Sequence, residues 1–172
     1  LVHSLEKGQI NANVLYDNNP RNKEDGDGIQ IGTINYTVPN YFNHKAIGTI
    51  EIFNNISFNH SRRGIKIQRS NVKVFENTLF NNAIGVSLVR SEPIKNIEVF
   101  DNYIFDCYHA INTDGGGKVN ILNSKIVNNR IFDGMISDDL SINDSENVIV
   151  SNFFLNTKGT NRTQKIRVSA NS

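Results

Sequence analysis

Apolar residues in this chain recur in short alternating pairs, each followed by asparagine. The clearest copy is Val72, Val74, Asn77, Phe80, Asn81: an alternating apolar pair, a short step, Asn, two residues, an apolar residue, then Asn or Asp. Upstream the same order reads Ile50, Ile52, Asn55, Phe58, Asn59; downstream it reads Ile97, Val99, Asn102, Phe105, Asp106. Further copies are Val119, Ile121, Ser124, Val127, Asn128, then Val148, Val150, Asn152, Leu155, Asn156, and an early Asn13, Tyr16, Asp17. Alternation over so few residues predicts short strands with one buried face. A second strand, opening on a small residue, follows each marker: Gly28–Ile31, Gly64–Ile67, Gly85–Leu88, Ala110–Thr113 and Gly134–Ser137. On these strands Ile65, Ile67, Val86 and Leu88 are expected inward, and Lys66, Ser87 and Asn112 outward.

The markers at 13, 55, 77, 102, 124 and 152 are spaced by 42, 22, 25, 22 and 28 residues. A period of 22 to 28 fits one coil of a solenoid. The 42-residue gap requires an insertion, placed at 33–48, or an extra degenerate coil. One coil cannot bury its own apolar face, so neighbours above and below must complete the core. Equivalent residues then form columns about 4.8 Å apart. Asn13, Asn55, Asn77, Asn102 and Asn152 are expected to make an internal amide ladder that satisfies buried turn backbone. The predicted fold class is all-β, a single-stranded parallel β-helix of about six coils. A β-propeller would need longer, four-stranded units, and a leucine-rich repeat would show more Leu.

Composition changes little. Apolar residues are 38% of 172, Pro numbers 3, and the formal charge of +1 gives no electrostatic case for nucleic acid or an anionic membrane surface. No apolar run approaches the roughly 20 residues of a membrane span. Cys107 is the lone cysteine, read as a packed interior thiol. No amphipathic capping helix stands at either end, so the chain reads as a piece of a longer solenoid.

Two stretches carry the candidate chemistry. Aligning Ala110 with Gly134 puts Asp114 of Asn112-Thr113-Asp114 and Asp138 of Ser137-Asp138-Asp139 in one outward column, about 5 Å apart. Carboxylates that close separate into an acid and a base, which glycoside hydrolysis uses. A basic set, Arg62, Arg63, Lys66, Arg69, Lys73 and Arg90, would suit an acidic glycan or form a solvated face. Glu24-Asp25-Gly26-Asp27-Gly28 reads as an acidic turn, with Ca²⁺ binding as the alternative. No other cofactor or metal is expected.

With its asparagine column, the chain resembles the pectin-lyase-like superfamily of right-handed parallel β-helices over roughly Asn13 to Asn156. That scaffold hosts lyases, hydrolases, epimerases, phage tailspikes and adhesins. The two Asp motifs are similar to those of polygalacturonase-type glycoside hydrolases. The resemblance implies Asp138 as general acid, with Asp114 and Asp139 holding the attacking water. Asn112, Lys66, Gln68, Arg69 and His109 are the candidate substrate-binding residues. The family's Gly-His-Gly is replaced by Lys158-Gly159-Thr160, and its Arg-Ile-Lys by Lys165-Ile166-Arg167. The implied partner is a polysaccharide or oligosaccharide, met outside the cell, at a cell surface or on a virion; tailspike relatives imply a homotrimer. The competing expectations are a non-catalytic glycan-binding stalk and a purely structural segment.

Overall fold

The computed structural model describes residues 2–3, 7–18, 26–32, 48–89, 94–112, 121–132, 135–136 and 149–155. Among them there is no helix, and every strand pairing is parallel. A ten-stranded sheet has two limbs. Gly8–Asn11, Ile50–Phe53, Val72–Phe75 and Ile97–Phe100 stack in the first; Val14–Tyr16, Ile56–Phe58, Thr78–Phe80 and Tyr103–Phe105 stack in the second. Lys125–Phe132 joins the limbs by pairing with both, and Ile149–Leu155 pairs with it in turn. A six-stranded sheet stacks Val2–His3, Ile29–Gly32, Arg63–Ile67, Ile84–Leu88, His109–Asn112 and Met135–Ile136. The chain visits first limb, second limb and six-stranded sheet in turn, one level after another. This all-β stack is compatible with a β-helix or solenoid.

Strands of three to five residues can stack only if their apolar sets align. Ile50, Ile52, Val72, Val74, Ile97 and Val99 are fully buried in the first limb, as are Leu79 and Ile104 in the second. Each such side chain contributes about 1.5–3 kcal/mol of burial. The outward column Gln9–Glu51–Lys73–Glu98–Lys125 alternates in charge after its first member. In-register stacking would set like charges side by side, and the alternation avoids that. Other outward columns stack aromatic rings. Phe53, Phe75 and Phe100 lie 5.0 Å apart by ring centroid, and Phe58, Phe80 and Phe105 lie 4.6 and 4.8 Å apart, all stacked with nearly parallel planes.

Every non-glycine residue with positive φ among those described sits at one of three corners. Ala12, Asn54, Glu76, Asp101 and Asn128 turn the first limb into the second. Asp17, Asn59, Asn81 and Asp106 turn the second limb toward the six-stranded sheet. Asn71, Asn96 and Asn123 lead back to the first limb. Asn and Asp tolerate this left-handed conformation best, which accounts for much of the chain's asparagine.

After the first corner residue comes the amide ladder. Asn55 Nδ2 donates to Asn77 Oδ1 at 2.9 Å, Asn77 to Asn102 at 2.9 Å, Asn102 to Asn129 at 2.8 Å and Asn129 to Asn152 at 2.8 Å. Asn13 joins Asn55 directly at 2.9 Å, so no level lies between them although they are 42 positions apart. The marker at Ser124 is corrected to Asn129. Lys125 pairs with Glu98 and Ile126 with Val99, which sets Asn129 on the ladder. Ser124 belongs to the preceding corner, where its Oγ accepts from Ile97 N and donates to Leu122 O.

The small residue opening each second strand also has a cause. A Cβ on Gly85 would lie 2.5 Å from Ala110 O and 2.8 Å from Ile104 Cγ2, and one on Gly64 would lie 2.9 Å from Gly85 O. Successive levels approach too closely there for a side chain.

Candidate functional site

The six-stranded sheet carries the candidate residues. Register places Gln30, Lys66, Ser87 and Asn112 in one column across four strands. Aliphatic columns flank it: Ile29–Ile65–Val86–Ile111 on one side and Ile31–Ile67–Leu88 on the other. The polar column was expected at the solvent surface. Instead Lys66 is 4% exposed, Ser87 0% and Asn112 7%. Both alternating sets of Arg63–Ile67 and Ile84–Leu88 are buried, as in a parallel sheet covered on both faces. Alternation in sequence separates two faces but says nothing of what covers the second.

Burial changes the electrostatics. Asp27, read as part of an acidic turn, is buried, with Oδ1 3.1 Å from Arg63 Nη1 and Oδ2 3.5 Å from Lys66 Nζ. A charge so enclosed persists only with partners of opposite sign. Gln68 Oε1 accepts from Gln30 Nε2 at 2.8 Å. Arg69 is also buried; its guanidinium donates to Gly48 O and Ser70 O, and burial pushes its pKa down. The basic residues therefore do not form one strip. Lys73 belongs to the ten-stranded sheet, 3.6 Å from Glu98. Arg90 lies outside the described residues, as do Glu24 and Asp25.

His109, half-buried, begins the strand that Asn112 ends; Tyr108 packs edge-on against it at 4.5 Å. Asp114, Asp138 and Asp139 lie outside the described residues. The strand before them pairs Ile111 with Ile136, one residue further along than the alignment of Ala110 with Gly134 requires, after a register shift from His109–Met135.

Sequence reasoning gave Ser87 no role. Its Oγ and the Oδ1 of Asn112, on adjacent strands, are buried without a hydrogen-bond partner. The legible signal was position alone, a small polar residue between Lys66 and Asn112 in an otherwise aliphatic strand.

The chain matches no protein-family model, no curated protein and no solved structure. Among the described residues no group of three or more His, Cys, Asp or Glu is placed to hold a metal ion, and no helix is long and apolar enough to cross a membrane.

The second corner holds another missed cluster. Asn18 N donates to His60 Nδ1 at 3.2 Å, and His60 N donates to Asn82 Oδ1 at 3.0 Å. Cys107 follows in the same series, beside Asn82. Burial pushes its thiol up to about 11, so Cys107 is protonated and unreactive at neutral pH. His60 is also buried, its Nε2 without a partner. Ser57 Oγ lies nearby but donates to Gly64 O. The His60 Nδ1 that a carboxylate would orient in a hydrolytic triad is occupied by backbone.

Proposed function

We propose that this chain is a right-handed parallel β-helix of about six coils, of the pectin-lyase-like kind, that acts on a polysaccharide across its six-stranded sheet. The observation that carries the reading is the in-register polar column Gln30–Lys66–Ser87–Asn112, crossing an aliphatic sheet and ending two residues before Asp114. Its repeat of about 4.8 Å places one polar side chain on each successive level, Gln30 being the half-buried member of the column. Asp138 is the proposed general acid, with Asp114 and Asp139 holding the attacking water, and hydrolysis is favoured over elimination. On this reading the protein meets its substrate outside the cell or on a virion, and assembles as a homotrimer if it is a tailspike.

The test is product release from a panel of soluble glycans, read by new reducing ends, for the wild type and for Asp114→Asn and Asp138→Asn. Loss of turnover by at least 100-fold in both variants is expected. An active wild type whose variants keep full rate removes the site assignment.

One observation favours a second reading, a non-catalytic binding or structural segment: Lys66, Ser87 and Asn112 are buried rather than displayed. That reading expects saturable glycan binding, or none, without product. Any cleaved product eliminates it.

A further inference from the structure

The two limbs of the ten-stranded sheet turn different surfaces outward. The first shows its column of alternating charges. The second shows two columns almost without charge. One runs Val14–Ile56–Thr78–Tyr103–Arg130, and the other runs Tyr16–Phe58–Phe80–Phe105–Phe132. Among the described residues, every exposed large apolar side chain lies on this limb or, as Tyr108, three residues past it: Val14 61%, Tyr16 61%, Ile56 40% and Tyr103 41%. With the half-buried phenylalanines they leave on the order of 500 Å² of apolar surface facing water. A contiguous patch of that size marks an interaction site. Sugar rings do not suit it. Aromatic side chains hold sugars through open ring faces, but Phe58 and Phe80 each have a ring stacked on both faces, 4.6 to 5.6 Å away. Tyr103 leans on Phe105 and Phe132. The column offers ring edges to a partner.

We infer that the outward face of the second limb is the interface of an antiparallel homodimer. A face built on a repeat of about 4.8 Å is matched level for level by another with the same repeat, and a second copy of this chain supplies one. Two such faces together bury about 1,000 Å², the threshold for specific association. Arg130, the one charge in the two columns, sets the sense. Parallel copies would place Arg130 against Arg130. Antiparallel copies centred on Thr78 keep the two guanidinium groups about 19 Å apart, four levels along the stack. They also set Ile56 of one copy against Tyr103 of the other. The inference does not rest on the polysaccharide reading and leaves the six-stranded sheet uncovered. It departs from the homotrimer that tailspike relatives imply.

The experiment is analytical ultracentrifugation of the full chain without sugar. The wild type is expected to form dimers with a Kd of about 10 µM. Ile56→Glu and Tyr103→Lys, both at exposed positions, should each weaken the dimer by about tenfold or more. An unchanged unfolding midpoint on dilute protein shows that the variants fold. The double variant is the decisive arm. In the antiparallel dimer each new carboxylate faces a new ammonium of the other copy, so Ile56→Glu combined with Tyr103→Lys should regain dimerisation at low salt. In a parallel dimer each new charge would face its own kind, and the double variant would stay monomeric. A wild type that remains monomeric, or forms trimers, overturns the inference, as does a dimer indifferent to all three variants. A monomer that instead floats with phosphatidylcholine vesicles overturns it in favour of a lipid surface. Failure of the double variant alone overturns the antiparallel sense. None of these outcomes bears on glycan cleavage, which the reducing-end assay decides separately.

Discussion

The two corners flanking the second limb solve one backbone problem with different chemistry. Each opens with a left-handed residue followed by a side chain that is buried at the inner levels and exposed at Asn13 and Asn18. At the first corner that side chain is asparagine on every described level. At the second it is Asn18, His60, Asn82 and Cys107 in succession. An asparagine has an acceptor and two donors, so it can bond its own level and both neighbours. Asn77 does this: its Oδ1 accepts from Asn55 N and Nδ2, and its Nδ2 donates to Phe75 O, Ile52 O and Asn102 Oδ1. A histidine or a thiol cannot reproduce that set, and His60 Nε2 is left without a partner. A column of one residue type transmits register. A mixed column tolerates local differences and leaves titratable groups inside.

The sharpest break in this contrast is Asn77→Ala. It strands the Asn55 donors and two carbonyls in the interior, and a loss of about 3–5 kcal/mol is expected by denaturant unfolding. Asn82→Ala at the second corner removes only the bonds from His60 N and to Ser57 O and the contact with Cys107. Its expected cost is about 1–3 kcal/mol. Equal losses at the two sites would dissolve the distinction.

Next in size is a pH effect confined to the mixed corner. Burial holds the His60 pKa below 6.5, against the opposing pull of Asp27 and Asp17. Above pH 6.5 His60 is neutral in both folded and unfolded chains, and its contribution is constant. As pH falls through 6.5 the unfolded chain takes up a proton that the folded chain resists, so stability declines until the folded pKa is passed. Protonation at Nδ1 also removes the acceptor for Asn18 N. The unfolding midpoint should therefore drop between pH 7 and pH 5. His60→Asn, which gives this level the first corner's chemistry, should flatten that dependence relative to the wild type. An identical pH profile in the two proteins would exclude His60 as its source.

The smallest expected effect is a gain. Glu76 holds φ at 53° where Asn54 and Asp101 do the same work at neighbouring levels. Glu76→Asn should stabilise by about 0.5–1 kcal/mol, measurable as a shift in denaturant midpoint at unchanged slope. A loss would mean that the glutamate side chain contributes more than its backbone costs.

The ladder was legible where the interval between levels is regular. Asn55, Asn77 and Asn102 stand in equivalent sequence settings, and the backbone repeats with them. It was misread at Ser124 because Val119, Ile121, Ile126 and Ile131 offer two overlapping apolar registers. Only the pairing of Lys125 with Glu98 selects one. The candidate site was less legible. Lys66 and Asn112 were placed on the right strands, but their burial, the partnership of Asp27 with Arg63 and Lys66, and the burial of the Ser87 hydroxyl depend on contacts between residues far apart in sequence.

By itself the sequence determined an all-β chain of short parallel-stacking strands, its left-handed corners and most of its asparagine column. These follow from local backbone preference and a repeating apolar pattern, which each segment carries within itself. Which residue of each segment meets which, and which polar groups are shut away from water, was decided only by the tertiary structure. Register and burial are properties of the stacked levels together, and no single level contains them.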